Sequence, residues 1–355
     1  MKAYGVIMAG GGGTRFWPLS RNEEPKQLLN LDGKDLMINE TIDRIATVTD
    51  MKDIFIVTNV AQVPKMLPAV AGRVARDHIL EEPAARNTSA CIGYAALEIV
   101  KKYGDGIMCI FPSDHYIKDE KAFTEILKQA VTEAESSDKL ITLGITPTYA
   151  CTGYGYIRYD KTDEGKAKHV VEFKEKPDVA TAEKYVASGE YAWNSGMFVW
   201  KASVILDSFK ELLPDVYAPL MKIGEAMGTS EEKAVIEEVY PQIPSISIDY
   251  GILEKSDKVY VISASMGWND VGSWDNLGVL YDEDESGNVI AGDAITIDTK
   301  DSIIYGRKRL ITTVGVENLI VVETEDAILV CDKSRAQDVK LIVDELKNKD
   351  RRELL

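Results

Sequence analysis

The sequence predicts an α/β protein that is followed by a small all-β region. In about the first 150 residues, short apolar runs alternate with amphipathic segments, which is typical of a parallel sheet covered by helices on both faces. In about the last 70 residues, apolar runs recur roughly every eight residues, which indicates a small all-β domain or a β-solenoid. With 355 residues, 45% of them hydrophobic, the chain can bury a large core in two or three domains.

The composition excludes several classes of protein. The net charge of −17 argues against a general nucleic-acid binder and against a protein that binds anionic membranes. We find no apolar stretch long enough to span a membrane and no signal peptide, so we expect a cytoplasmic protein. The four cysteines form no CxxC pair and the three histidines lack ligand spacing, which favours reduced thiols and argues against a zinc site.

The first half is predicted to alternate strands and helices. Strands are predicted at 4–8, 53–59, 78–83, 106–111 and 140–146, and helices at 36–48, 87–104 and 119–136, with Asn87 or Thr88 capping the second helix. Ligands bind at the carboxyl ends of parallel strands. We therefore expect the glycine loop after the first strand to meet Glu81–Pro83 and Pro112–His115.

The rest of the chain changes character twice. Strands are predicted in "YGYIRYD", "VVEFKEKP", "SGMFVW" and "KVYVISA", with helices between residues 179 and 256, and we interpret this part as a second half that folds over the first. The β-rich region has apolar runs centred near Ile295, Ile304, Thr312, Val321 and Leu329, and an amphipathic helix closes it at 334–348. The predicted domains are 1–283, with halves at about 1–150 and 151–283, and 284–355.

The stretch "MAGGGGTRFWPLSRNEEPKQLL", residues 8–29, combines four glycines with several cations. It lacks the last glycine of GxGxxG and the GK[ST] of a P-loop, which argues against a nicotinamide cofactor and a Walker-type NTPase. Exposed backbone N–H groups, a forked Arg15 and a mobile point charge at Lys26 suit a nucleoside triphosphate. The alternative, a flexible turn with surface charges, leaves the glycines without a purpose.

This stretch resembles the signature of the sugar nucleotidyltransferases, and more narrowly that of the mannose-1-phosphate guanylyltransferase family. Seven further motifs resemble that family in its order: "EEPAARNT", "FPSDH", "GYGYI", "FKEKP", "WNSGMF", "SIDYGILEK" and "GWNDVGSWDNL". The resemblance covers about the first 280 residues, with small departures at Phe16, Leu28 and Ser113. It implies a Rossmann-like nucleotidyltransferase (GT-A-like) mixed sheet flanked by helices, plus a C-terminal left-handed β-helix-like domain.

The resemblance also implies site residues. It assigns catalysis to Arg15, Lys26, Asp114 and Asp270, and assigns Mg²⁺ or Mn²⁺ binding to the two aspartates. The nucleotide-binding set is Ala9, Gly10, Gly11, Gly12, Gly13, Thr14, Arg15, Glu82, Pro83, Asn87, Thr88 and Ser113. The sugar phosphate-binding set is Gly155, Glu175, Lys176, Asn194 and Asp249.

Several of these residues have simpler alternatives. Asp114 and Asp270 could cap loops, and Asp249 could cap its own helix. Alternation in "VVEFKEKP" places Val171, Phe173 and Glu175 on one face, so Glu175 either opens into a pocket or ends a frayed strand with a surface ion pair. We expect His115 to support its loop rather than to catalyse, and Trp193 and Trp200 to be core residues.

The implied reaction converts GTP and mannose 1-phosphate to GDP-mannose and pyrophosphate. Two alternatives remain: the same chemistry with another NTP and sugar 1-phosphate, or a catalytically silent sugar-nucleotide sensor that would lack phosphate and metal groups. Longer family members carry a phosphomannose isomerase domain, and we expect transferase activity alone here. We also expect a homodimer.

Overall fold

A computed structural model describes residues 1–174 and 176–355, so Glu175 lies outside the described residues. The strands are β1 Ala3–Met8, β2 Ile54–Asn59, β3 Ile79–Glu82, β4 Ile107–Pro112, β5 Tyr116–Ile117, β6 Leu140–Ile145, β7 Tyr156–Tyr159, β8 Lys168–Lys174, β9 Tyr191–Lys201, β10 Val259–Ala264, β11 Trp268–Asn269, β12 Val289–Ala291, β13 Ala294–Ile297, β14 Ile303–Gly306, β15 Ile311–Val314, β16 Leu319–Glu323 and β17 Ile328–Asp332. The helices are α1 Met37–Ile45, α2 Val63–Ala69, α3 Asn87–Tyr103, α4 Glu120–Ser136, α5 Val179–Ser188, α6 Ala202–Leu212, α7 Pro214–Ala226, α8 Glu232–Val239 and α9 Val339–Asn348.

Within the described residues, one mixed sheet of nine strands organises the first 264 residues in the order β3-β2-β1-β4-β9-β6-β10-β8-β7. The four strands from β3 to β4 are parallel, as predicted. Strand β9, from the second half, lies between β4 and β6 and is antiparallel to both. The second half therefore does not simply fold over the first, because its longest strand lies in the centre of the shared sheet.

Helices cover both faces of this sheet. One core joins it to α3, α6 and α7, and a second core joins it to α1, α2 and α4. Neighbouring residues of β1 show the alternation: Val6 belongs to the first core and Ile7 to the second. Both faces are thus apolar, which is why the strands appear in the sequence as continuous hydrophobic runs.

The start of α3 differs from the prediction. Asn87 has a φ of 63°, and among the described residues its Oδ1 accepts a hydrogen bond only from the adjacent N–H of Thr88, at 2.9 Å. The hydroxyl of Thr88 accepts from the backbone N–H of Ile248 at 2.8 Å. Neither side chain caps the helix, because both are engaged by local or distant backbone.

The predicted assignment of alternating residues to one face of β8 is also wrong. Val171 is 53% exposed, whereas Val170 is buried in the core. The pairing with β7 shifts between Arg158 and Tyr159, which leaves an extra residue on β8. This bulge breaks the alternation on which the assignment of Val171, Phe173 and Glu175 to one face depended.

The C-terminal region is a coil of short strands, as its spacing predicted. Strands β12, β14 and β16 are parallel on one side, β13 and β15 are parallel on another, and β17 closes the coil antiparallel to β16. The chain then forms α9, within the predicted terminal helix. Buried residues of this coil share a third core with Phe16, Trp17 and Trp274.

Two further predictions can be compared with the structure. All four cysteines are free thiols, and Cys91 and Cys109 are buried. Across the residues that the structure describes, no helix has both the length and the apolar character that crossing a membrane requires.

The third core predicts a difference between two isoleucines of the C-terminal coil. Ile303→Ala should lower the free energy of unfolding by about 2–5 kcal/mol, because Ile303 is 1% exposed within that core. Ile295→Ala, the matched control at a residue that is 53% exposed, should change it by less than about 0.5 kcal/mol. Urea denaturation measures both, and equal effects would contradict the assigned core.

Candidate active site

The glycine loop follows β1, and buried amide side chains hold its carbonyl groups. Gln27 Nε2 donates to the carbonyl of Ala9 at 2.8 Å, and Gln62 Nε2 donates to that of Gly11 at 3.2 Å. Among the described residues, none accepts a hydrogen bond from the backbone N–H groups of residues 10–13. The loop therefore presents free N–H donors, an arrangement that binds phosphate oxygens.

A close contact requires one of the four glycines, and a second lies near a carboxylate. Gly13 has a φ of 61°, and a Cβ on it would lie 2.3 Å from Cβ of Lys26. A Cβ on Gly10 would lie 3.0 Å from Oε2 of Glu82. No heavy atom of the described chain would come within 4 Å of a Cβ on either glycine between them. A ligand can therefore approach the backbone there.

The two cations assigned to catalysis lie in different environments. Arg15 is exposed and makes no hydrogen bond or ion pair within the described part of the chain. Lys26 is 3% exposed, and its Nζ donates to Oδ2 and the carbonyl of Asp114, both at 2.9 Å, and to the carbonyl of Asp270 at 2.7 Å. The interpretation of Lys26 as a mobile point charge is therefore wrong, because a buried ammonium with three acceptors is fixed.

Lys26 also sets the charge state of Asp114. Burial by itself raises the pKa of Asp114, but the opposing contributions, of which the nearby ammonium of Lys26 is the largest, together outweigh burial and lower that pKa. Asp114 is therefore an ionised carboxylate at neutral pH. Its second oxygen, Oδ1, accepts no hydrogen bond from any other described residue.

His115 supports the loop that carries Asp114. Trp268 Nε1 donates to His115 Nδ1 at 3.1 Å, so this ring nitrogen is an acceptor and carries no proton. Burial lowers the pKa of His115 to about 4, against the charge of Asp114, which raises it. Arg44 on α1 donates to the carbonyl of His115 at 3.3 Å. The ring is thus neutral and structural in the folded protein.

Asp270 approaches the same place from the segment after β11. Its Oδ1 accepts from the hydroxyl of Tyr154 at 3.1 Å and from the N–H of Gly272 at 3.1 Å. Burial, followed by the charge of Asp270, raises the pKa of Tyr154, so this hydroxyl keeps its proton and remains a donor. Oδ2 of Asp270 makes no hydrogen bond to the described residues.

The two aspartates suit a hard divalent cation. Each keeps one carboxylate oxygen that the described chain does not use, and Lys26 joins their two backbones. No group of three or more His, Cys, Asp or Glu residues that could hold a metal occurs among the described residues. Mg²⁺ is commonly held by one or two carboxylates with substrate phosphates and water, so this donor set fits it.

The predicted sugar-phosphate residues that the structure describes line one cleft of about 270 Å³: Gly155, Lys176, Asn194 and Asp249. Asn194 Nδ2 donates to Oδ1 of Asp249 at 2.7 Å, and the N–H of Asn194 donates to the carbonyl of Gly155 at 2.8 Å. Asp270 and Thr88 line the same cleft, so it adjoins the carboxylate pair. Glu175, the fifth predicted residue, lies outside the described residues.

The remaining predicted nucleotide-binding residues lie at the end of β3, at the start of α3 and at the end of β4. Glu82 is 6% exposed and its Oε1 accepts from the hydroxyl of Tyr240, while Pro83 follows it half-buried. Asn87 and Thr88 begin α3. Ser113 is buried at the end of β4, and its N–H donates to the carbonyl of Met8 at 3.2 Å, next to the glycine loop. The three strand ends thus meet, as predicted.

The sequence-based assignment missed four polar residues that shape the site: Gln27, Gln62, Tyr154 and Tyr240. Gln27 and Tyr154 stand within the quoted motifs, next to Lys26 and Gly155, so their position was a usable signal. Gln62 and Tyr240 carried no such signal, because only the tertiary structure brings them to the loop and to Glu82. Trp193 and Trp200 are buried core residues, as expected.

Comparisons with known proteins identify the family of this chain. A family model described as "Nucleotidyl transferase" matches residues 4–286, and one described as "MannoseP isomerase/GMP-like beta-helix domain" matches residues 292–346. Mannose-1-phosphate guanylyltransferase RfbM of Salmonella typhimurium is 40% identical over 98% of this chain and 73% of its own length. Xanthan biosynthesis protein XanB of Xanthomonas campestris pv. campestris is 41% identical over 98% of this chain and 74% of its own.

A solved structure has the same fold throughout. It is described as a mannose-1-phosphate geranyltransferase from Thermus thermophilus and superposes with a TM-score of 0.89 at 32% identity. The match covers 98% of this chain and all of the other. The mixed sheet and the C-terminal coil therefore occur together in a related protein.

The low pKa of His115 predicts a pH dependence of stability. Between about pH 6.5 and pH 4 the unfolded chain binds more protons at this residue than the folded one, so stability falls as pH decreases through that window. In His115→Gln the free energy of unfolding should fall less between pH 7 and pH 5 than in the wild type. Urea denaturation at the two pH values measures this, and a steeper fall in the variant would contradict it.

Proposed function

This chain belongs to the nucleotidyl transferase family, among relatives named mannose-1-phosphate guanylyltransferase, and we propose that it converts GTP and mannose 1-phosphate to GDP-mannose and pyrophosphate. One observation carries the proposal. Lys26 Nζ bonds to both aspartate segments, and this places the N–H groups of the glycine loop, two carboxylates and a polar cleft side by side.

The reaction is an in-line displacement at the α-phosphorus. An oxygen of the sugar phosphate attacks, and the bond to the bridging oxygen of pyrophosphate breaks. Because that phosphate is already ionised at neutral pH, no general base is needed. Catalysis is then positioning plus stabilisation of charge on the phosphoryl oxygens.

Each part of the site has a role in this reaction. The N–H groups of residues 10–13 and the exposed Arg15 hold the leaving pyrophosphate. Asn194 and Asp249 offer donors and acceptors to sugar hydroxyls, and Lys176 lies in the same cleft for the sugar phosphate. Lys26 holds Asp114 and Asp270 in fixed positions relative to each other, beside the α-phosphorus.

Asp114 and Asp270 would hold Mg²⁺ or Mn²⁺ through their two remaining oxygens. The bound ion supplies charge neutralisation at the phosphates. The protein's own contribution is to keep Asp114 ionised, because Lys26 lowers its pKa, and to keep the hydroxyl of Tyr154 on Asp270.

We further propose that the protein works in the cytoplasm and forms a homodimer. A cytoplasmic location is supported by the proposed substrates, which are intracellular phosphates, and by the free thiols. A dimer is supported by the exposed apolar residues of the C-terminal coil, among them Ile328 and Val330. Analytical ultracentrifugation measures the oligomeric state.

The proposal is tested by measuring pyrophosphate release with Mg²⁺ for four NTPs against mannose, glucose and N-acetylglucosamine 1-phosphates. We expect GTP with mannose 1-phosphate to dominate and turnover to stop when the metal is chelated. If another pair of NTP and sugar 1-phosphate gave the highest turnover, the reaction class would stand, but the assignment of GTP and mannose 1-phosphate as the substrates would be wrong. No turnover, with ligands still bound in calorimetry, would instead support the sensor.

Lys26→Ala should lower kcat by about two orders of magnitude or more and change the KM for mannose 1-phosphate much less. The variant leaves the carboxylate of Asp114 without its cation and separates the two aspartate segments, which are used in the transition state. Steady-state kinetics with both substrates varied measures this. A large rise in sugar KM at unchanged kcat would contradict the role.

A further inference from the structure

The carboxylate of Glu82 is held from one side by a residue distant in the sequence. Tyr240 lies just after α8, in the helical segment that joins β9 to β10, and its side chain is fully buried. Its hydroxyl donates to Oε1 of Glu82. Burial, followed by the charge of Glu82, raises the pKa of Tyr240 well above its ordinary value, so the hydroxyl remains a donor.

The other oxygen of Glu82 faces the glycine loop. A Cβ on Gly10 would lie 3.0 Å from Oε2, so a side chain at this position would crowd the carboxylate oxygen. Oε2 accepts no hydrogen bond from any described residue. Because this oxygen is not one of the fully buried polar atoms without a hydrogen-bond partner, it is in contact with solvent. The two oxygens therefore have different environments.

With this asymmetry, the free oxygen of Glu82 can recognise a nucleotide base by accepting hydrogen bonds from its edge. A carboxylate oxygen accepts N–H donors, and guanine presents N1–H and N2–H₂ together, whereas adenine has an acceptor at N1. Burial raises the pKa of Glu82 and the hydrogen bond from Tyr240 opposes that rise. The hydroxyl thus helps both to orient the carboxylate and to keep it ionised.

We propose that Tyr240 is a positioning residue for base selection, whose hydroxyl turns Glu82 so that Oε2 accepts from the donor edge of guanine beside Gly10. The inference rests on the proposed function, since it takes GTP as the nucleotide. It adds a residue from outside the quoted motifs to the specificity of the site. Tyr240 does not itself contact the nucleotide.

The test compares Tyr240→Phe with Tyr94→Phe. Tyr94 is also buried, packs edge-on against Tyr240 at 5.8 Å between ring centroids, and its hydroxyl makes no hydrogen bond to Glu82 or to any other described residue. The kcat and KM are measured for GTP, ITP and ATP at saturating sugar phosphate. ITP lacks the N2 amino group and retains N1–H.

In Tyr240→Phe we expect the KM for GTP to rise about tenfold and the GTP-to-ATP ratio of kcat/KM to fall by a similar factor, with kcat within about twofold. ITP, with one donor fewer, should be affected less. Tyr94→Phe should keep the wild-type ratios. Unchanged GTP constants in Tyr240→Phe, or an equal loss for all three nucleotides, would overturn the inference.

A second variant covers the case in which Tyr240→Phe does not fold. Glu82→Gln can keep a bond to the Tyr240 hydroxyl while it removes the negative charge and turns an amide toward the base. It should lose the preference for GTP over ATP, and an unaltered preference would overturn the inference. A wild-type enzyme that does not use GTP refutes the proposed function instead, so the two failures are distinguishable.

Discussion

The site is organised around one buried ammonium group. Lys26 Nζ reaches a segment 88 residues away and another 244 residues away, and it uses all three of its donors on them. An unpaired charge at this depth would be strongly unfavourable, so the three acceptors and the cation require one another. The position of both aspartates, and therefore of any metal and phosphate between them, depends on this group.

The segment that carries Lys26 is itself fixed from the far side by the C-terminal coil. Phe16 and Trp17 share a core with β14 and β16, and Trp274 Nε1 donates to the carbonyl of Trp17 at 3.0 Å. Trp17 Nε1 donates to the carbonyl of Leu354 at 2.9 Å. The glycine loop can thus keep a free, phosphate-accessible backbone because the residues directly after it are packed between two domains.

The sugar cleft meets the nucleotide loop because of the direction of one strand. Strand β9 runs antiparallel to β4, so its first residues lie beyond the carboxyl end of β4, where Asp114 follows. Asn194 stands in this part of β9 and bonds to Gly155 and Asp249. A parallel strand in that place would put Asn194 at the opposite edge of the sheet.

Local sequence patterns predicted most of the secondary-structure elements, although the helix α2 and the two-residue strands β5 and β11 were missed. Apolar periodicity located the strands, the eight-residue spacing located the coil, and the family resemblance assigned roles to Arg15, Asp114 and Asp270, because each signal is carried by neighbouring residues. The central place of β9, the bulge that exposes Val171 and the burial of Lys26 emerge only in the folded chain. These features depend on which distant segments pair and on which distant groups accept hydrogen bonds from a buried charge. Local periodicity carries no information about either.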